Sequence, residues 1–217
     1  MIFDQLKKRS PEPPTHTNGT MTNGTMANGT APSPHNASRR LKILCFHGSL
    51  GSASVMRQQA TSAAAILAPY ADLVFMDAPS LALGGRGWWQ FNYDRNGKHV
   101  YEGWDRTIQG VKKMFETQGP FDGIFGFSQG AILASILCGL RTNPNPLNYP
   151  YTFKFDFAIL VGGFMARDPD LSVVYNNRAP YSLPSLHVVG RSDGVVSPEA
   201  TLEMSELFSD RTYVVHE

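Results

Sequence analysis

Apolar positions along this chain fall into short continuous runs, separated by longer stretches with helical spacing. Leu41–Phe46 (LKILCF), Ala71–Met76 (ADLVFM), residues 155–161 (FDFAILV) and residues 185–189 (SLHVV) have strand length, and Arg211–His216 begins a further run. Runs of this kind read as strands buried on both faces. Between them, residues 55–70 read as a helix broken by Pro69. Residues 105–118 place Ile108, Val111, Met114 and Phe115 on one helical face, and residues 198–208 carry proline at the first helical position. Residues 80–104 read as irregular and aromatic, and residues 141–151 as a proline-rich loop. Strands alternating with helices predict an α/β domain with a mostly parallel sheet and helices on both faces. In such a sheet the functional residues collect at the carboxyl ends of the strands.

The stretch with the most specific chemistry is residues 121–140, FDGIFGFSQGAILASILCGL. A short apolar run leads into Gly126-Phe127-Ser128-Gln129-Gly130, and an apolar helix follows. This is a G-x-S-x-G nucleophile elbow in its proper setting of strand, turn and helix. A strand turning directly into a helix leaves no room for a Cβ at either flanking position, which accounts for the glycines. The helix aims its first N–H groups at the spot where an oxyanion would form.

The first 38 residues differ from the rest. They hold five prolines, many Thr and Asn, and Asn-Gly-Thr three times, at 18–20, 23–25 and 28–30. Such a segment buries too little apolar surface to offset its ordering entropy, so it reads as a disordered tail before a domain at 39–217. The three repeats and Asn36-Ala37-Ser38 fit the N-glycosylation pattern, but the first residues lack a continuous apolar signal region. A low-complexity repeat is the favoured reading. The two cysteines, Cys45 and Cys138, lie in apolar stretches and fit buried thiols of a reducing, cytoplasmic compartment. With 217 residues, 17% charged and a net charge of +1, there is no electrostatic reason to expect nucleic acid, and no apolar run is long enough to span a membrane.

A serine hydroxyl needs a base within hydrogen-bond reach, and the base needs an orienting acid. In this fold the chain order is Ser, acid, His. Asp193 follows an apolar strand in a Gly- and Ser-rich loop and is the expected acid; an ordinary turn aspartate in Ser-Asp-Gly is the plainer alternative. Asp156, inside a predicted strand, and Asp168 and Asp170, in a surface-like turn, are weaker candidates. His47-Gly48-Ser49 ends the first strand. Its expected role is the oxyanion hole, with the Ser49 N–H paired to the N–H of Gln129. His47 precedes the serine and reads as structural, while His187 is expected mid-strand in the core.

Together GFSQGA, FHGS, FAILVGGF and HVVGRSDGVV resemble the FSH-type serine hydrolases, a family that includes esterases and thioesterases of fungal polyketide clusters. The resemblance covers about residues 40–217. It implies an α/β-hydrolase fold, no metal or organic cofactor, and a Ser-Asp-His triad in which Ser128 and Asp193 match nucleophile and acid. The family closes this region with a strand and His-x-Gly-Gly-His, whose second histidine is the base. Tyr213-Val214-Val215-His216-Glu217 matches only the start of that pattern. The base therefore lies beyond Glu217, in a chain cut short, or falls to His216.

Residues 84–104 hold Trp88, Trp89, Phe91, Tyr93, Tyr101 and Trp104. Trp88 and Trp89 are candidates for a substrate-binding lid over an acyl pocket; packing in the core is the equal alternative. Arg86 could steer a carboxylate or be an ordinary surface arginine. The expected substrate is a hydrophobic acyl ester or thioester, as a small molecule or on a carrier protein. An inactive binding protein that keeps the pocket without the base is the alternative. A lipase- or haloperoxidase-like hydrolase is a lesser one, and no G-x-G-x-x-G follows a strand to suggest a dehydrogenase.

Overall fold

The computed structural model describes residues 39–82, 85–141, 147, 149–176 and 180–217. The tail at 1–38 and most of the proline-rich loop lie outside them. Six parallel strands form the central sheet: β1 (Leu41–Phe46), β2 (Ala71–Met76), β7 (Gly123–Phe127), β8 (Phe157–Val161), β9 (Ser185–Gly190) and β10 (Arg211–His216). Their order is β10-β9-β8-β7-β1-β2. The expected α/β-hydrolase architecture is what the chain adopts.

The two faces of the sheet follow from strand alternation. Ile43 and Cys45 of β1 point to one side, where Met56 of helix α1 (Ala53–Gln59) and Leu67 of α2 (Thr61–Leu67) cover them with Phe125 and Phe157. Leu44 and Phe46 point to the other side, into the main core with Ile124 and Leu160. That side holds α3 (Trp104–Gln118) and α4 (Gln129–Leu140). All twelve residues of α4 are buried, which is why its sequence is apolar all round rather than striped. The thiols of Cys45 and Cys138 are buried and unpaired, and burial pushes both pKa values up.

The structure corrects several expectations. The helix expected over 55–70 is two helices, divided at Ala60, where ψ is 7°. The aromatic stretch carries two short hairpins, β3 (Ser80–Ala82) with β4 (Gly85–Gly87) and β5 (Gln90–Tyr93) with β6 (His99–Glu102). The strand expected from 155 starts at Phe157, so Asp156 is an exposed bend residue ahead of it. Asp168 is buried, not at the surface. It caps helix α5 (Pro169–Asn176), accepting from the N–H groups of Asp170 and Leu171, and its other oxygen accepts from Tyr101 N–H at 2.8 Å. Helix α6 (Pro198–Ser205) ends three residues earlier than expected. Among the described residues no helix is long and apolar enough to cross a membrane.

His187 is fully buried in β9, as the sequence suggests. Its Nε2 lies 3.1 Å from Ser185 Oγ, and Nδ1 has no hydrogen-bond partner among the described residues. Burial first, and then the charge of Arg211, lowers its pKa from 6.5 to about 4. The unfolded chain takes up a proton near 6.5 that the folded chain refuses, so between these values stability rises with pH. The contribution is complete above pH ~6.5 and declines as pH falls toward ~4, by about 3 kcal/mol at most. His47, also lowered by burial, acts in the same direction. The urea midpoint is therefore expected to fall between about pH 7 and pH 4.5, and His187→Phe to flatten the fall. A wild-type midpoint that does not move across this range contradicts the assignment.

Candidate active site

Ser128 stands at the corner between β7 and α4 with φ 52° and ψ −118°. A non-glycine residue rarely adopts a positive φ, and the strain costs on the order of 1–3 kcal/mol. The surroundings hold the corner in place. Ser128 N–H donates to Val161 O of the neighbouring strand at 2.9 Å, and Ser128 O accepts from Ala131 N–H at 2.8 Å as the helix begins. Its hydroxyl caps nothing. The flanking glycines are required sterically. A Cβ on Gly126 would sit 2.2 Å from Gly130 O, and one on Gly130 would sit 2.1 Å from Phe46 O.

The loop after β1 packs onto this corner. A Cβ on Gly48 would lie 3.3 Å from the Ser128 Cβ and 3.1 Å from the Phe127 ring. Residues 48–51 form a turn closed by Gly51 N–H donating to Gly48 O at 3.1 Å, and Leu50 takes the left-handed φ of 59°. Ser49 is exposed at the tip of this turn, while Gln129 opens α4, whose first N–H groups have no intrahelical acceptor. The structure thus brings the Ser49 turn and the start of α4 together around Ser128.

His47 is buried and structural. Its Nε2 accepts from Ala78 N–H at 3.1 Å, so the proton is on Nδ1, which donates to Gly48 O at 2.7 Å. Burial holds its pKa below the ordinary value, in keeping with a neutral ring. Arg86 hydrogen-bonds Gly51 O through its backbone N–H and lies 3.7 Å from Asp77, an exposed pair.

Asp193 sits at the carboxyl end of β9. Its Oδ1 accepts from Val195 N–H at 2.8 Å and Val196 N–H at 3.0 Å, which fixes the carboxylate within its loop. Gly162, at the end of β8, has φ 56°, and a Cβ there would meet Asp193 Oδ2 at 3.5 Å. Gly190 gives the same side chain room: a Cβ there would lie 3.2 Å from Asp193 Cβ and 3.5 Å from His216 Nε2. Phe127, Gly162, Gly190, Asp193 and His216 line one cavity of about 270 Å³. Neither Phe127 nor Gly190 stands out in the sequence as a site residue. The first is only the variable position of the elbow, and the second ends a strand.

His216 is exposed, with Nδ1 2.9 Å from Glu217 O. Among the described residues, no ion pair joins it to Asp193 and no hydrogen bond joins it to Ser128. The sheet order explains the second absence. Three inter-strand steps separate β7 from β10, roughly 14 Å, more than a histidine and a serine side chain span together. His216, one of the two places left open for the base, thus makes no direct hydrogen bond to Ser128 and lies on the Asp193 side of the cavity.

Trp88 and Trp89 are not where a lid would place them. They are 0% and 2% exposed, and neither indole offers a surface to substrate. Trp88 packs edge-on against Phe46 and donates its indole N–H to His47 O at 2.8 Å, while Trp89 stacks on Tyr101 with ring centroids 4.5 Å apart. The backbone of both is held by the Gln129 side chain. Large rings bury most apolar area in the core, and this is where they lie.

The family model for serine hydrolases (FSH1) matches residues 37–217. Esterase OVCA2 of Xenopus tropicalis is 33% identical over 207 residues, covering 85% of this chain and 87% of that protein. A Schizosaccharomyces pombe protein named dihydrofolate reductase is 30% identical over 204 residues, covering 82% of this chain and 43% of that one. Among solved structures, acyl-protein thioesterase 2 of Zea mays superposes with a TM-score of 0.57 at 18% identity, covering 85% of this chain and 87% of that one, a likeness of fold.

Proposed function

Because this chain belongs to the serine hydrolase (FSH1) family, we propose that it is an esterase or thioesterase acting on hydrophobic acyl groups. The observation that carries this reading is the strained positive φ of Ser128, held between two glycines with the Gly48 turn packed against it. Ser128 Oγ attacks the acyl carbonyl. The N–H groups of Ser49 and Gln129 receive the developing oxyanion. The serine proton passes through one bridging water to His216, on the Asp193 side of the cavity, and Asp193 is the acid of the triad. Loss of the alcohol or thiol leaves an acyl-serine, and water releases the acid.

The substrate class rests on the rim of the site. Leu50, Phe127 and Val195 are 55%, 39% and 90% exposed, each at the carboxyl end of a sheet strand or in the loop after it. An acyl chain laid across them would cover apolar surface worth about 0.8 kcal/mol per buried methylene. The carrier-bound polyketide thioester expected from the family resemblance is one member of this acyl class. The spacing between β7 and β10 favours a second reading, an acyl-binding protein with only residual turnover.

A fluorophosphonate probe separates the two. Stoichiometric labelling, located on Ser128 by peptide mass spectrometry and lost in Ser128→Ala, is the expected result. His216→Ala is expected to slow labelling, and unchanged labelling and turnover would remove His216 from the mechanism. A folded wild-type protein that takes no label would overturn the hydrolase reading.

A further inference from the structure

The side chain of Gln129 is not spent on the surface of the elbow. It is 2% exposed, and both ends of its amide are used: Oε1 accepts from Trp88 N–H at 3.1 Å and Nε2 donates to Trp89 O at 2.8 Å. The connection continues. Trp88 donates its indole N–H to His47 O, and Thr107 donates its hydroxyl to Trp88 O. His47 in turn grips the oxyanion turn through Gly48 O and the loop after β2 through Ala78 N–H. His47, Trp88 and Thr107 are all buried to within 1%. One end of this network is therefore the residue whose N–H would be one oxyanion donor. The other end is the residue two positions before Ser49, whose N–H would be the second.

We infer that Gln129, acting through Trp88 and His47, is the positioning residue that holds the two oxyanion donors at one fixed spacing. The inference rests on the serine hydrolase reading above. Two donors aimed at the same oxygen must keep their separation to within a few tenths of an ångström, since hydrogen bonds weaken steeply outside about 2.7–3.2 Å. They come from chain segments about 80 residues apart, so local geometry cannot set the distance. A satisfied buried polar network can, because any member that moves leaves a partner unpaired.

Two substitutions test it. Gln129→Met keeps length and volume but makes neither bond. It is expected to lower kcat by about 10²-fold with KM within about twofold, the size of losing one oxyanion donor. Gln129→Glu can restore both bonds only when protonated, with one oxygen accepting from Trp88 N–H and the O–H donating to Trp89 O. Its kcat relative to wild type is expected to rise as pH falls, whereas the same ratio for Gln129→Met stays flat. His47, with Asp77 and Arg86 near it, is the other titratable group on the network, and it is unchanged in all three proteins. Hydrogen exchange gives a readout independent of activity. In Gln129→Met the Gly51 N–H, bonded to Gly48 O in the wild type, is expected to lose protection. Full kcat for Gln129→Met with unchanged Gly51 protection overturns the inference. A wild type that takes no fluorophosphonate label overturns instead the reading it rests on, whatever the exchange data show.

Discussion

Ser128→Ala is expected to lower kcat for the hydrolysis of a nitrophenyl ester by about 10⁴-fold, with the thermal midpoint almost unchanged. Both halves follow from the corner. The hydroxyl makes no capping bond, so its loss leaves no partner unpaired. Alanine inherits the same φ of 52° and the same strain, so the folded state neither gains nor loses on that account. The interactions that hold the corner, from Ser128 N–H to Val161 O and from Ala131 N–H to Ser128 O, are made by backbone. What disappears is the nucleophile alone. Rate and stability therefore separate in this variant, which is the sign of a group kept for chemistry. A turnover within tenfold of wild type in a matched preparation would move the chemistry off Ser128.

Gly130→Ala is expected to do the opposite and lose both together. The added methyl would lie 2.1 Å from Phe46 O and 2.7 Å from His47 O. Both atoms are backbone: Phe46 ends β1, paired on one side with β2 and on the other with β7, and His47 follows it. No rotamer change relieves the clash, so either α4 or β1 must shift, at a cost of more than about 3 kcal/mol. The shift would also move the elbow against the Gly48 turn. Gly194→Ala is the matched control, because a Cβ there meets nothing within 4 Å. Urea unfolding of the two variants beside the wild type reads the difference. A Gly130→Ala midpoint equal to that of Gly194→Ala would show that the corner accommodates the methyl without a shift.

How much of this was legible in the sequence depends on where each signal resides. β1, β2 and β10 have the bounds that their apolar runs predict, although only β1 is buried along most of its length and five of the six residues of the edge strand β10 are exposed. The elbow was legible from its motif: Gly126 answers to Gly130 O four positions on, whereas the contact that excludes a Cβ on Gly130 is with Phe46 O, far away in the chain. The cap at Asp168 was legible too, in Asp168 followed by Pro169, a helix start that reading the segment as a surface turn passes over. The break at Ala60 carries no glycine or proline to announce it. The hairpins at 80–102 have strands of three or four residues, too short to show alternation. The burial of Trp88 and Trp89 is settled by Gln129, some 40 positions away. The distance between Ser128 and His216 belongs to the order of strands in the sheet. Chain order alone does not contain it, since a crossover can place the next strand on either side.

That strand order also governs how the protein is made. β1 emerges first, yet one of its two neighbours, β7, follows about 80 residues later, and the Ser128 corner is tied to β8 beyond that. Early in synthesis β1 can pair only with β2, and its edge facing β7 stays open as a bare apolar ribbon. Parallel pairings of this span pay a large loop-closure entropy before any contact repays it, so they form slowly and leave sticky edges exposed meanwhile. The corner that carries the nucleophile thus cannot be completed until β8 has been made, and a nascent chain stalled before β8 has the serine without its strand anchor.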